Sequence, residues 1–191
     1  LDAELLGQGP DRARKLAVVA AKPNHLEPHL VPRDAGGGFD MGRVAEQEHE
    51  PLEAVVINDG GTDVAAVLEE FSGRLAIRHQ RLDPPLGRSP AANRGLALAA
   101  HPWITFLDDD DLLEPGALAA LAEHAGEPAV VYGRVTAWQM ITDDGEPHAF
   151  AEFGRPFDRA ALLFENFIPM IGTLMPREAV LAAGGIDEAL D

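Results

Sequence analysis

A chain of 191 residues is long enough to bury the core of one α/β domain, and its composition excludes several classes of protein. It contains no cysteine, which excludes disulfides, thiolate zinc sites and cysteine nucleophiles. The formal net charge of −17 argues against nonspecific nucleic-acid binding, and the sequence predicts neither a transmembrane segment nor a signal peptide.

Strand and helix patterns alternate along the chain. A buried strand is predicted at residues 16–21. Residues 23–51 hold several prolines and a triglycine, and they are predicted as an irregular loop region with a short helix near 41–47. The later strands are predicted at 52–57, 74–80, 103–107, 129–132 and 134–141, with an extended segment at 167–175. The helices are predicted from Thr62 or Asp63 to Gly73, from Ser89 (as N-cap before Pro90) to about Ala100, from Pro115 to Gly126, and at 158–164 and 176–183.

This alternation predicts right-handed βαβ units, and therefore a mainly parallel sheet flanked by helices in a single domain over residues 1–191. Ligands of such sheets bind beyond the carboxyl ends of the strands. Two polar clusters follow predicted strands at those ends, one at residues 58–61 and one at residues 108–111. Their placement predicts a ligand site at that edge of the sheet.

The second cluster consists of four consecutive aspartates, and these like charges require either open water or a cation. A solvated loop is the ordinary interpretation of an acidic run. Here the run directly follows an apolar strand, and Pro115 begins the next helix, so the turn is short. Mg²⁺ and Mn²⁺ prefer oxygen ligands, and Mg²⁺ commonly takes one or two carboxylates together with substrate phosphates. An EF-hand does not fit, because its spaced ligands, glycine and terminal glutamate are missing.

Three blocks of the sequence resemble the signature blocks of glycosyltransferase family 2. They read VVINDGGTD from Val55, SPAANRGLALAAHPWITFLDDDD from Ser89, and GTLMPREAVLAAGGIDE from Gly172. The resemblance implies a GT-A fold, which is Rossmann-like, and transfer of a sugar from a nucleoside-diphosphate donor to an acceptor hydroxyl with inversion. It also implies that Asp108 and Asp110 hold Mn²⁺ or Mg²⁺ as the D-x-D pair. The residues it places at the nucleotide are Asn58, Asp59, Arg94, Asp108 and Asp109.

The resemblance also implies partners. These are a UDP-, GDP- or dTDP-sugar as donor and a glycan or glycolipid of the bacterial surface as acceptor. The expected location is the cytoplasm or the inner face of the membrane. The catalytic base of the family follows the segment that aligns with residues 184–188, so it is expected to lie outside this chain. The chain is then expected to be incomplete at its C-terminus, with Asp187, Glu188 and Asp191 as the candidate substitutes.

Two other functions stay open at this point. One is a noncatalytic nucleotide-sugar-binding domain. The other is a nucleotidyltransferase, although a glycine-rich loop with basic residues near the chain start is missing from the sequence. His25 and His29 have the spacing of a helical metal site, but Pro28 lies between them and argues against it. Core packing is the preferred interpretation of three apolar residues that could line an acceptor groove, namely Phe164, Phe167 and Met170.

Overall fold

The computed structural model describes residues 16–22, 41–47, 49–109, 111–126, 130–139 and 148–190. Within these ranges the strands are β1 (Leu16–Lys22), β2 (Leu52–Asp59), β3 (Ala76–Leu82), β4 (Trp103–Asp108), β5 (Val131–Tyr132), β6 (Val135–Gln139), β7 (His148–Phe153) and β8 (Thr173–Pro176). The helices are α1 (Met41–Ala45), α2 (Ala65–Glu69), α3 (Arg88–Leu98), α4 (Ala117–His124) and α5 (Arg177–Ala182), with 3₁₀ turns at Ala161–Leu163 and Glu188–Leu190.

Six of these strands form one sheet in the order β3-β2-β1-β4-β8-β5. The first four are parallel, and β8 lies antiparallel to both β4 and β5. Strands β6 and β7 form a separate antiparallel pair. The chain moves from β1 outward to β3 and then crosses to the other side of β1, so the strand order reverses between β1 and β4. The predicted mainly parallel α/β sheet is therefore confirmed.

Alternate residues of the central strands pack against helices on opposite faces of the sheet. Val18, Ala54 and Leu107 belong to a core cluster with residues of α1, α2 and α4. Val19 and Ile57 belong to a second cluster with α3, which α5 and Met175 extend. This two-sided burial explains why the strands read as continuous apolar runs, as buried parallel strands do.

Helix α3 lies unusually close to the sheet because the residues on its inner face are small. Ala91, Ala92 and Gly95 are buried there. A Cβ atom built on Gly95 would lie 2.2 Å from Cγ1 of Val19, which is far inside van der Waals contact. The helix can therefore take this position only with glycine at residue 95.

Two buried carboxylates of β2 hold the two ends of α3. At the amino end of the strand, Glu53 accepts hydrogen bonds from the backbone N–H groups of Ala100 (2.6 Å) and His101 (3.1 Å), just after the helix. Arg78 pairs with the other Glu53 oxygen at 3.1 Å, so the buried charge is compensated. At the carboxyl end, Asp59 accepts from Leu86 and Gly87, just before the helix. The ends of α3 are thus fixed to one strand.

Most predicted elements are present, and three predicted helix starts are wrong. Ser89 is not an N-cap, because α3 begins at Arg88 and its N-cap is Gly87, whose φ of 102° suits glycine. Helix α4 begins at Ala117 rather than at Pro115, because Gly116 takes a left-handed conformation as its N-cap. Asp63 accepts a hydrogen bond from the N–H of Ala65, but the N-cap of α2 is Val64 rather than Thr62 or Asp63.

The remaining differences concern short elements. Strand β7 is not predicted by the sequence, the predicted helix at 158–164 reduces to a 3₁₀ turn, and α2 is shorter than its apolar pattern suggests. Residues 23–40 of the irregular region, with His25 and His29, lie outside the described residues. Among the residues that are described, no helix has the length and apolar character needed to cross a membrane.

Candidate functional site

The two polar clusters both lie at the carboxyl edge of the sheet, near the point where the strand order reverses. On β2, Asn58 lies beside Lys22 of β1, and on β4, Asp108 lies beside Ala21 of the same strand. The two clusters therefore flank β1 and lie about 10 Å apart, which is two interstrand spacings. This is the position at which ligands bind in open α/β sheets.

Asp59 is a buried carboxylate at the end of β2. Its Oδ1 accepts from the N–H of Leu86 at 2.7 Å, and its Oδ2 accepts from the N–H of Gly87 at 2.8 Å. A carboxylate at a helix N-terminus is also favoured by the helix dipole. Asp59 therefore positions the start of α3, whatever further contact it makes with a ligand.

Asn58 is fully buried and shapes the turn that follows β2. Its side-chain amide donates to the carbonyl of Thr62 at 2.6 Å, and its Oδ1 accepts from the N–H of Gly61 at 2.8 Å. An aspartate could not donate the first of these bonds, so the asparagine suits this turn. The side chain is used inside the protein, and a contact between Asn58 and a nucleotide stays a prediction.

Asp108 ends β4 on the same face of the sheet as Asp59, the face that α3 covers. Its Oδ2 pairs with a guanidinium nitrogen of Arg88, the first residue of α3. The Arg88 side chain is 59% exposed and that of Asp108 38% exposed, so the pair faces solvent at the edge of the site. Sequence reasoning missed Arg88, because this contact joins residues 20 positions apart.

The described residues that follow β4 are held by several hydrogen bonds. Asp109 is buried, the N–H of Asp111 donates to the carbonyl of Asp108 at 3.2 Å, and Asp110 lies outside the described residues. Gln47, which follows α1, forms two hydrogen bonds with residues at the start of α4 and just before it. Its amide donates to the carbonyl of Glu114 at 3.0 Å, and its oxygen accepts from the N–H of Leu118 at 3.1 Å.

Arg94 lies away from the acidic turn. It is exposed in the middle of α3, and the rise of a helix places it about 9 Å along the axis from Arg88, towards the amino edge of the sheet. Its predicted role at the nucleotide stays a prediction. The structure brings Arg88, rather than Arg94, to the aspartates.

Asn93, the neighbour of Arg94, fastens α3 to the Gly-Gly-Ile-Asp-Glu segment. Its amide donates to the carbonyl of Ile186 and to Oε1 of Glu188, both at 2.8 Å, and its Oδ1 accepts from the N–H of Ile186 at 2.8 Å. Gly185 has a φ of 80°, and a Cβ there would lie 2.6 Å from the Asn93 oxygen. Two of the sequence blocks are therefore in direct contact.

The oxygen ligands at this edge suit a hard cation whose remaining ligands come from the phosphates of a substrate. Asp108 offers a partly exposed carboxylate, and oxygen is the ligand atom that Mg²⁺ and Mn²⁺ prefer. In the described part of the chain, no group of three or more histidine and acidic side chains could enclose a metal. A cation with one or two carboxylates plus substrate phosphates needs no such group.

Apolar side chains are exposed around the β6–β7 pair and the segment that follows it. Strand β5 runs in the same direction as β4, so the chain enters β6 from the carboxyl edge of the sheet. The exposed residues here include Trp138, Phe150, Phe153, Phe157, Leu163 and Phe164. Core packing is correct for Phe167, which is buried beneath Arg155 (4.5 Å to the ring centroid), and wrong for Phe164, which is 90% exposed. Core packing is also wrong for Met170, which is exposed.

Comparison with known proteins gives a family match over most of the chain. The profile described as glycosyl transferase family 2 matches residues 42–181. The succinoglycan biosynthesis protein ExoU of Rhizobium meliloti is 33% identical over 125 residues, which cover 62% of this chain and 36% of ExoU. A PGL/p-HBAD biosynthesis glycosyltransferase of Mycobacterium bovis is 36% identical over 100 residues, covering 48% of this chain and 38% of that protein. The chain thus spans little more than a third of these relatives' length.

Two solved structures share the fold. S. aureus TarS 1–349 in complex with UDP aligns with a TM-score of 0.59 at 16% identity, covering 92% of this chain and 51% of that one. The mannosyltransferase PcManGT from Pyrobaculum calidifontis, in complex with GDP-Man and Mn²⁺, aligns with a TM-score of 0.55 at 20% identity, covering 90% and 47%. At these identities the likeness shows the GT-A fold.

Proposed function

Since the chain belongs to glycosyl transferase family 2, we propose that it is the donor-binding domain of a metal-dependent, inverting glycosyltransferase. The donor is a nucleoside-diphosphate sugar, with UDP, GDP or dTDP as its nucleotide. The acceptor is a glycan or glycolipid hydroxyl of the bacterial surface, reached in the cytoplasm or at the inner face of the membrane. Residues 1–191 serve as one nucleotide-sugar-binding domain in this proposal.

The observation that supports the proposal best is the position of Asp59 and Asp108. Both lie at the carboxyl edge of the sheet, on the two strands that flank β1, and both face α3. By the strand register, Asp59 lies two strands across from Asp108 and two residues further along, so the two backbones are about 12 Å apart, which is comparable to the length of a nucleoside diphosphate. The relatives' names and the nucleotides bound to the two fold neighbours point in the same direction.

Each residue of the edge has a distinct task in this proposal. Asp59 and Asn58 form the nucleotide end, with Arg94 as a further candidate, while Asp108, Asp109 and Asp110 form the diphosphate and metal end. Mn²⁺ or Mg²⁺, when bound, would supply a Lewis acid for the negative charge that develops on the leaving diphosphate. Asp108 and Asp110 would hold that cation.

A specific observation favours a second candidate, a nucleotide-sugar-binding domain without transfer. Inversion needs a carboxylate base on the face of the sugar opposite the leaving group. Asp187 accepts from the N–H of Ala189 at 2.9 Å, and Glu188 accepts from Asn93, so both candidate substitutes serve local structure. Asp191 lies outside the described residues. Turnover of a donor that binds would separate the two candidates.

Titration calorimetry with UDP, GDP, dTDP and CMP, each with and without Mn²⁺ or Mg²⁺, tests the donor site. We expect at least one nucleoside diphosphate to bind more tightly with metal. Asp108→Asn and Asp110→Asn should each remove most of that metal-dependent gain, because the amide lacks the charge that holds the cation. Glu123→Gln, which removes one exposed carboxylate from α4, should bind like the wild type.

Two results would contradict the proposal. If none of the nucleotides binds more tightly with metal, the chain has no metal-dependent donor site. If the two aspartate variants keep the full metal dependence while the nucleotide still binds, the metal site lies elsewhere in the protein.

A further inference from the structure

Arg88 occupies a position that the family resemblance does not assign. It is the first residue of α3, and its guanidinium pairs with Asp108 at the end of β4. The ion pairs Glu53–Arg78 and Arg177–Glu178 lie remote from this turn. Arg88 thus brings a positive charge directly against the acidic segment that ends β4.

The Arg88–Asp108 pair is weak enough to be exchanged. Both side chains are partly exposed, and solvent-exposed ion pairs contribute little to stability. A divalent cation carries twice the charge of a guanidinium, and it binds a carboxylate oxygen directly. A cation and Arg88 would therefore compete for the carboxylate of Asp108, and the cation can replace the arginine at small cost.

The position of Arg88 also suits an anion. The guanidinium fork matches the oxygen geometry of phosphate groups, and the helix N-terminus beside it favours negative charge. The chain carries a net charge of −17, so an approaching diphosphate meets repulsion unless cations lie at the site. When Arg88 leaves Asp108, its charge becomes available at the place where this repulsion must be overcome.

We propose that Arg88 and the divalent cation exchange at Asp108, and that the displaced guanidinium then donates to the donor diphosphate. The diphosphate part of this inference rests on the proposed function. Arg88 thereby discourages the binding of metal alone and favours the binding of metal together with a nucleoside diphosphate. The arginine that senses the diphosphate is then Arg88 at the edge, while Arg94 in the middle of α3 is the residue indicated by sequence alone.

The variant Arg88→Gln tests the inference, because it should change the affinities for Mn²⁺ and for the nucleoside diphosphate in opposite directions. Glutamine keeps polarity but removes the charge that competes with the cation. Mn²⁺ alone, measured by electron paramagnetic resonance, should bind the variant about threefold or more tightly than the wild type. With Mn²⁺ saturating, the nucleoside diphosphate that binds the wild type should bind the variant about tenfold more weakly, the loss expected for one charge-assisted hydrogen bond. A purely structural role of Arg88 would weaken both.

Two further variants complete the experiment. Arg74→Gln, which removes an exposed arginine at the opposite edge of the sheet, should leave both affinities unchanged. Arg94→Gln should have a smaller effect on the nucleoside diphosphate than Arg88→Gln. Thermal unfolding of each variant checks that the fold is intact, and the weak Arg88–Asp108 pair predicts little change in Tm.

The outcomes separate this inference from the proposed function. If Mn²⁺ alone binds Arg88→Gln no more tightly than the wild type, or binds neither, the exchange is overturned. If the nucleoside diphosphate is weakened by Arg94→Gln and not by Arg88→Gln, the role of Arg88 at the diphosphate is overturned. Failure of the wild type to bind any nucleoside diphosphate refutes the proposed function, while the Mn²⁺ measurement still decides whether the exchange occurs.

Discussion

Replacing Asp59 by asparagine tests whether a residue predicted to contact the nucleotide also holds the fold. Each carboxylate oxygen of Asp59 accepts one backbone N–H at the start of α3, at 2.7 and 2.8 Å, in a buried position. Asparagine keeps one oxygen and turns an NH₂ group towards the other N–H, so one bond is lost and two donors face each other. Bonds to charged groups contribute about 1.5–3 kcal/mol, and an unsatisfied buried donor adds to the cost, so we expect a loss of about 2–4 kcal/mol.

Urea unfolding followed by circular dichroism measures this loss. In a chain of this length it corresponds to a fall in Tm of roughly 4–16 °C. Asp63→Asn is the matched control, because Asp63 is exposed and accepts a single N–H from Ala65, and its loss should stay near or below about 1 kcal/mol. Equal urea m-values would show that both variants unfold from the same compact state.

The result also decides how binding data on this variant are to be interpreted. If Asp59→Asn loses no more stability than Asp63→Asn, the account of Asp59 as the residue that holds α3 is wrong. If it loses the expected amount, nucleotide affinity must be measured well below the lowered Tm. Weaker binding at that temperature would then indicate a direct contact with the ligand.

Two further predictions concern the packing and the attachment of α3. Gly95→Ala should destabilise the protein by about 1–2 kcal/mol in urea unfolding, because the 2.2 Å approach to Val19 outweighs the roughly 1 kcal/mol that alanine gains in a helix. The control Gly73→Ala, which has open space around it, should change stability by less than about 0.5 kcal/mol. Equal effects of the two substitutions would refute the packing argument. Asn93→Asp loses the donor to the Ile186 carbonyl and to the carboxylate of Glu188, so hydrogen exchange should become faster in residues 185–188, and unchanged exchange would show that this attachment is unimportant.

The sheet could be predicted from the sequence because its determinants are local. The apolar runs of β1, β2 and β4 and the helical periodicities between them fix the alternation, and the alternation fixes a parallel sheet. It also follows from the sequence that Asp59 and Asp108 lie at one edge, since parallel strands end on the same side. Whether both side chains lie on the face that α3 covers depends on the strand register, which the sequence does not give and the folded structure does.

The contacts that complete the site could not be predicted because they join distant residues. Arg88 meets Asp108 across 20 positions, and Asn93 meets Ile186 across 93. The false prediction of Ser89 as an N-cap has a local reason. The serine–proline pair is a common helix start. Here the helix begins earlier, because Asp59 accepts from the N–H groups of Leu86 and Gly87 and because Gly87 has a positive φ.

The two carboxylates of β2 that hold the ends of α3 have a practical consequence for spectroscopy. Because Glu53 and Asp59 hold backbone groups at the two ends of the helix, an exposed side chain between those ends can be replaced without touching either contact. Ala97 is exposed, and the chain has no cysteine of its own. Ala97→Cys therefore provides a single attachment point for a fluorescent dye on a rigid support. Energy transfer from that dye to a labelled nucleotide would measure the distance from the helix to the bound ligand.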